Sequence, residues 1–285
     1  MENLKKIING KEYSKKFLKQ VYPLSTNFLK KFKRKPCLAV ILVGDNTASR
    51  IYVKNKVRTA EKNGIQSKEV ILSSKVSEVN LLNEILKLNA DENVDGILVQ
   101  LPLPAHISEK KIIHSINPKK DVDGFHPINF GKLFMGNPNF IPCTPLGCFY
   151  MLKNEFKDLS GKNAVIIGRS NIVGKPMASL LLASNCSVTI THSKTKNLQE
   201  HCKKADILVS AVGIPEMVDE TYIKQDAIII DVGINRLQFV NPETNVNETK
   251  LVGDVNFRKV VNIAKKITPV PGGVGPMTIA CLMHN

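Results

Sequence analysis

Apolar residues in this chain come in two forms: short unbroken runs of aliphatic and β-branched residues, and longer stretches in which they recur every three or four positions. The runs CLAVILVG (37–44), KEVIL (68–72) and GILVQL (96–101) read as strands. Between the first two, Thr47–Asn63 reads as a helix stopped by Gly64, and Ser77–Asn89 reads as a second helix after the next strand. Such alternation predicts βαβ crossovers and a mostly parallel sheet. Around 117–148 the pattern dissolves into a text rich in Pro, Gly and Asn, which marks loops and a domain boundary. Beyond it NAVIIG (163–168), SVTITH (187–192), ADILVSAV (205–212) and AIIIDVG (227–233) read as four further strands, with helical stretches between the first three. Their continuous apolar character predicts a sheet covered on both faces.

The 285 residues suit two α/β domains, each with its own core. A hydrophobic fraction of 43% with 23% charged residues is that of a globular protein, and no apolar run approaches the roughly 20 residues needed to span a bilayer, so no membrane partner is expected. The opening residues MENLKKIINGKEYSKKF carry lysines but no apolar core of about 7–15 residues, so no secretory signal and a cytoplasmic location are expected. The six cysteines form no CxxC pair and read as reduced core or surface thiols. The six histidines are dispersed too, with no zinc-ligand spacing, and no bound metal is expected. A net charge of +15 suits an anionic partner. The lysines, however, are spread along the chain, and aromatics make up only 6% of it, so a nucleic acid is not the partner expected.

The run NAVIIGRSNIVGKPMASLLLAS places Gly168 at the end of a buried strand and Gly174 at the start of an apolar helix. Such a turn offers backbone N–H groups and a helix N-terminus to a phosphate, and small residues let a pyrophosphate approach. The spacing Gly168-x-Ser170-x-x-x-Gly174 is not the usual GxGxxG, so the motif alone leaves open a plain strand-to-helix turn. Where an NAD site usually carries an acidic residue for the ribose 2′-hydroxyl, this chain reads Thr191-His192-Ser193-Lys194. With no carboxylate there, and with Arg169 and Ser193 available, NADP is favoured over NAD.

Ser49, Tyr52 and Lys56 lie in TASRIYVKNKVR, where Tyr52 and Lys56 are spaced to share one helix face. An ammonium held against an apolar wall gives up its proton more readily than one in water and can act near neutral pH. An ordinary amphipathic contact is the alternative for the pair. Gln100 ends an apolar strand just before Pro102, where ligands of open α/β sheets gather, and Asp123 sits in a loop with Asp121 beside Gly124; a satisfied strand-end amide and a plain turn former are the alternatives for the two. A two-domain NADP dehydrogenase acting on another small acid fits these residues as well.

Taken together the strings YVKNK (52–56), VDGILVQLPLP (94–104), KDVDGFHP (120–127), CTP (143–145), GRSNIVGKP (168–176), DVGINR (231–236), GDV (253–255) and TPVPGGVGPMTIA (268–280) resemble the bifunctional methylenetetrahydrofolate dehydrogenase/methenyltetrahydrofolate cyclohydrolase family. The resemblance implies an N-terminal αβα catalytic domain over residues 1–148 and a Rossmann-type NADP-binding domain over 149–267. It further implies a segment, 268–285, that returns to the catalytic domain, a folate cleft between the domains, and a homodimer formed through the nucleotide domains. Family members continue past the TIA segment as a longer terminal helix, so a short last helix is expected here. Two reactions follow from the resemblance: NADP-dependent oxidation of 5,10-methylenetetrahydrofolate, then hydrolysis of the methenyl product to 10-formyltetrahydrofolate. Carried over by position, Lys56 is the catalytic lysine, Gln100 tunes it, Tyr52 stacks on the folate, Ser49 supports their network and Asp123 holds the pterin amino edge. Val99, Leu101, Pro271, Gly272, Gly275 and Pro276 line the folate. Gly168, Arg169, Ser170, Gly174, Ser193 and Ile234 contact the cofactor.

Overall fold

The computed structural model describes residues 5–240 and 247–285. The chain divides into two compact units: Lys15–Cys143 with Ile279–Asn285, and the residues up to Ser14 with Thr144–Thr278. They are called here the first and the second unit.

The first unit is built on a three-stranded parallel sheet of order β2-β1-β3. Strand β1 (Cys37–Val43) is central and buried at all seven positions, as its unbroken apolar run requires. Strand β2 (Gln66–Leu72) lies at one edge and is partly exposed, while β3 (Gly96–Val99) is buried throughout. Helix α2 (Thr47–Lys62) begins where the Asn46 side chain accepts the Ser49 N–H, and stops before Gly64, whose φ of +75° only glycine adopts freely. Helix α3 (Glu78–Ala90) is capped by Ser77 and lays Leu81, Ile85 and Leu88 against the sheet core of Ala39, Ile41 and Ile97. Short helices α4 (Glu109–Ser115) and α5 (Pro127–Phe134) follow. The structure adds a long first helix, α1 (Gly10–Phe32), that the strand-centred reading passed over. Its buried stripe of Phe17, Val21 and Ser25 at four-residue spacing was present in the text, but lysines crowd the other faces and Pro23 interrupts it.

Helix α6 (Cys143–Glu155) leads into the second unit, whose sheet is five-stranded and parallel in the order β10-β7-β6-β4-β5. Here β4 (Asn163–Ile167), β5 (Ser187–Thr191), β6 (Ile207–Ser210) and β7 (Ile228–Asp231) fall on the four expected runs. Helices α7 (Gly174–Leu182) and α8 (Leu198–Cys202) make the crossovers, and β10 (Lys266–Ile267) completes the sheet. The chain goes from β4 to one side for β5 and then to the other side for β6, so the strand order reverses at the carboxyl end of β4. Doubly wound sheets take their ligands at such a reversal. An antiparallel ribbon of β8 (Asn235–Val240) and β9 (Asn247–Val252), then α9 (Phe257–Val260) and α10 (Val274–His284), were not anticipated as separate elements beyond the short last helix.

All six cysteines are unpaired and buried, which leaves none as a surface thiol. Among the described residues no helix is long and apolar enough to cross a membrane, and no group of His, Cys, Asp or Glu could hold a metal ion.

Candidate functional site

In the first unit α2 carries Tyr52 and Lys56 on one face, and Lys56 is only 6% exposed. Its Nζ donates to Gln100 Oε1 at 3.0 Å and stands 5.3 Å from the centre of the Tyr52 ring, within cation–π range. Gln100 follows β3 and is held at three points: its backbone N–H reaches the Ile41 carbonyl, its Nε2 donates to the Leu101 carbonyl at 2.7 Å, and its Oε1 is left for Lys56. Val99 is buried at the end of β3 and Leu101 is half-buried just beyond it. Ser49 is buried in the first turn of α2, where its backbone N–H meets Asn46 Oδ1 at 3.0 Å.

Asp123 comes to the same unit on a loop whose frame is Asp121. The Asp121 carboxylate, 1% exposed, accepts the backbone N–H groups of Phe125 and His126 and the Asn129 Nδ2. Gly124 turns the chain between them with φ of +72°, and a Cβ there would press on the backbone of Pro142. Desolvation by burial raises the Asp123 carboxyl to about 6; the Lys56 ammonium pulls it down and Asp121 pushes it up. Cys143, buried with its thiol directed to the Val122 carbonyl, has its pKa pushed well up, first by burial and then by Asp123. A thiol so placed is inert as a nucleophile.

In the second unit the turn from β4 to α7 has little spare room. Gly168 has φ of +121°, and a Cβ on it would overlap the Ala211 carbonyl oxygen at the end of β6; a Cβ on Gly174 would overlap the Gly168 carbonyl. The Ser170 hydroxyl accepts the N–H groups of Val173 and Gly174 at 3.1 and 3.3 Å, which holds the first turn of α7 in shape. Arg169 is exposed, as is Ser193 on the turn after β5. That turn is closed by the His192 N–H to the Thr195 hydroxyl and contains no carboxylate. Ile234, past the end of β7, is 58% exposed. Pro271, Gly272, Gly275 and Pro276 lie in the turn before α10 and in its first turn, with Gly272 at φ of +104°.

Residues 8–123 match the model of the tetrahydrofolate dehydrogenase/cyclohydrolase catalytic domain, and residues 142–285 match that of the family's NAD(P)-binding domain. The chain belongs to the tetrahydrofolate dehydrogenase/cyclohydrolase family. A bifunctional protein FolD of Acetivibrio thermocellus is 52% identical over 280 residues, covering 98% of this chain and 95% of that protein. The crystal structure of the bifunctional FolD methylenetetrahydrofolate dehydrogenase/cyclohydrolase of Campylobacter jejuni superposes with a TM-score of 0.90 at 47% identity, over 98% of this chain and 95% of that one. The Trypanosoma brucei FolD structure, complexed with NADP and an inhibitor, gives a TM-score of 0.91 at 35% identity over 98% and 94% of the two chains.

For a member of this family the structure adds side chains to which sequence reasoning gave no role. Asp121 entered only as the loop neighbour of Asp123, yet it organises the whole loop that carries Asp123. Asp231 and Asp254 lie in the quoted strings DVGINR and GDV, but an acid beside glycine in a text reads as a turn residue, and nothing local reveals that both are buried.

Proposed function

We propose that this chain oxidises 5,10-methylenetetrahydrofolate to the 5,10-methenyl form with NADP and then hydrolyses that product to 10-formyltetrahydrofolate. The observation that carries the chemical reading is the buried Lys56 Nζ, 3.0 Å from Gln100 Oε1 and beside the Tyr52 ring. The second unit fits a dinucleotide: a turn where a Cβ finds no room, a helix start at the sheet's reversal point whose Val173 and Gly174 N–H groups meet the Ser170 hydroxyl, Arg169 exposed nearby, and no carboxylate after β5 to repel a 2′-phosphate. Gly168, Ser170 and Gly174 would cradle the pyrophosphate, Arg169 and Ser193 the adenosine phosphate, and Ile234 an apolar face of the cofactor. When bound, NADP supplies the hydride acceptor.

Hydride loss needs no strong base, because the neighbouring nitrogen of the folate supplies electrons and the product is a stabilised amidinium. The work of the protein there is orientation. We assign Tyr52 to stacking on the folate and Asp123, as carboxylate, to accepting N–H groups of the pterin edge, with Val99, Leu101, Pro271, Gly272, Gly275 and Pro276 lining the substrate and Ser49 supporting the hydrogen-bond network around Tyr52 and Lys56. Hydrolysis demands more. A water must lose a proton as it attacks the amidinium carbon, and a ring nitrogen must gain one as the adduct opens. Lys56 Nζ is the group that moves these protons, and Gln100 Oε1 holds it in place between the two transfers. We place the catalytic role within residues 1–148 and the nucleotide within 149–267.

The reading further includes a homodimer formed through the nucleotide-binding part and a cytoplasmic location, supported by family likeness. The first test mixes purified protein, methylenetetrahydrofolate and NADP, and follows NADPH and the methenyl absorbance together. NADPH with little methenyl accumulation is expected. No reaction with either NADP or NAD would overturn the proposal.

A further inference from the structure

Two carboxylates that have no part in the chemistry above are buried where strands of the second unit end. Asp231, the last residue of β7, is 3% exposed and Asp254 is fully buried. Asp231 Oδ1 accepts the backbone N–H groups of Gly233 and Asp254 at 3.0 and 2.9 Å, and its Oδ2 accepts that of Val255 at 3.0 Å. Asp254 Oδ2 in turn accepts the N–H groups of Val212 and Gly213 at 2.7 and 3.2 Å, with the Ser210 hydroxyl at 3.5 Å, and its Oδ1 accepts Asn235 Nδ2 at 3.0 Å. Asp254 therefore holds the turn after β6, Asp231 holds the turn after β7, and the Asp254 N–H ties one carboxylate to the other.

Two glycines pack tightly against them. A Cβ on Gly233 would overlap the Asp254 carboxylate, and one on Gly253 would overlap the Asp231 carboxylate. Among the described residues neither acid has a salt-bridge partner. Burying two carboxylates side by side without a cation is unfavourable, and backbone donors offset only part of the loss. Burial, with Asp254 adding to it, raises the Asp231 carboxyl to about 7 in spite of its three N–H donors.

The pinned turns present two aliphatic side chains to solvent at the carboxyl ends of neighbouring strands: Ile214 after β6, 50% exposed, and Ile234 after β7, 58% exposed. Ile234 stands between Gly233, held by Asp231, and Asn235, held by Asp254. Exposed isoleucines on a rigid frame, at the sheet end where ligands bind, are placed for an apolar ring to rest on.

We propose that Asp254 is a positioning residue for the dinucleotide: through Val212, Gly213 and Asn235, and interlocked with Asp231, it fixes Ile214 and Ile234 as the apolar seat of the cofactor. This rests on the reading of the second unit as the NADP site. Asp254 touches no reacting group itself.

The test uses the full chain and two variants. Asp254→Asn keeps the size but turns one acceptor oxygen into a donor facing other donors. Asn235→Ala leaves both carboxylates and their backbone donors in place. The readouts are the NADPH dissociation constant by fluorescence, the KM for NADP against the dehydrogenase kcat, and hydrolysis of preformed methenyltetrahydrofolate, which uses no nucleotide. For Asp254→Asn the NADPH constant and the KM should rise about tenfold or more, and the ratio of dehydrogenase to hydrolysis rates should fall by as much. For Asn235→Ala a rise of about threefold is expected, and this variant decides alone if Asp254→Asn fails to fold. An unchanged NADPH constant in the folded variants, or equal loss of both activities, overturns the positioning role. A wild-type chain that binds NADPH yet performs neither reaction overturns the enzyme reading and leaves the binding comparison to decide this one; a wild-type chain that does not bind NADPH overturns both.

Discussion

Gln100 Oε1 faces Lys56 Nζ at 3.0 Å because the other end of the same amide is committed to the Leu101 carbonyl. An amide with both ends occupied cannot flip, so the lysine meets a fixed acceptor on one side and the Tyr52 ring on the other. Lys56→Met removes the movable proton and keeps the apolar stem. It should reduce methenyl hydrolysis by about two to four orders of magnitude, the usual share of general acid–base catalysis, while folate binding stays largely intact. Hydrolysis at the wild-type rate in folded Lys56→Met would refute the assignment.

Asp123 should impose a pH dependence on folate binding. Its carboxyl is raised to about 6, so it is charged above that value and protonated below it. If the carboxylate accepts the pterin N–H groups, affinity is full above pH 6 and falls about tenfold per pH unit below it. Asp123→Ala should bind folate weakly at all pH values with no such break. A folate dissociation constant that is unchanged in Asp123→Ala, or flat in the wild type from pH 7 to 5, would count against the role.

Gly168→Ala should separate the two activities. The new methyl meets the Ala211 carbonyl, and φ of +121° is unfavourable for alanine by about 1–3 kcal/mol, so the turn that would take the pyrophosphate must shift. Dehydrogenase activity should fall steeply, while hydrolysis of preformed methenyltetrahydrofolate continues. Full dehydrogenase activity with a normal KM for NADP would show that the turn does not carry the cofactor.

Nucleotide preference should follow charge after β5. Ser193→Asp places a carboxylate where the chain has none, which suits a ribose 2′-hydroxyl and repels a 2′-phosphate. The ratio of kcat/KM for NADP to that for NAD should drop by about tenfold or more. An unmoved ratio would place the adenosine phosphate elsewhere.

Ser170→Ala tests the helix start. Loss of the hydroxyl that accepts the Val173 and Gly174 N–H groups should destabilise α7 by about 1 kcal/mol, read as a lowered thermal midpoint. NADP should restore less of that loss in the variant than in the wild type if the same turn binds it.

The sequence by itself determined the strands β1 to β7, two crossover helices and the glycine turn, because each is written locally. An unbroken run such as CLAVILVG must be buried on both faces, Asn46 and Ser77 are positioned to cap, and Gly64 can take a positive φ at little cost. The spacing of Tyr52 and Lys56 likewise follows from the pitch of one helix. Helix α1 escaped because its lysines and Pro23 obscure a narrow buried stripe. Only the tertiary structure decided that Gln100 reaches Lys56 across 44 residues, that Asp121 frames the Asp123 loop, and that Asp231 and Asp254 share one buried knot across 23. Those meetings depend on strand order and on burial, which give a carboxylate its partners and its proton affinity. Neither is a property of the residues beside it in the chain.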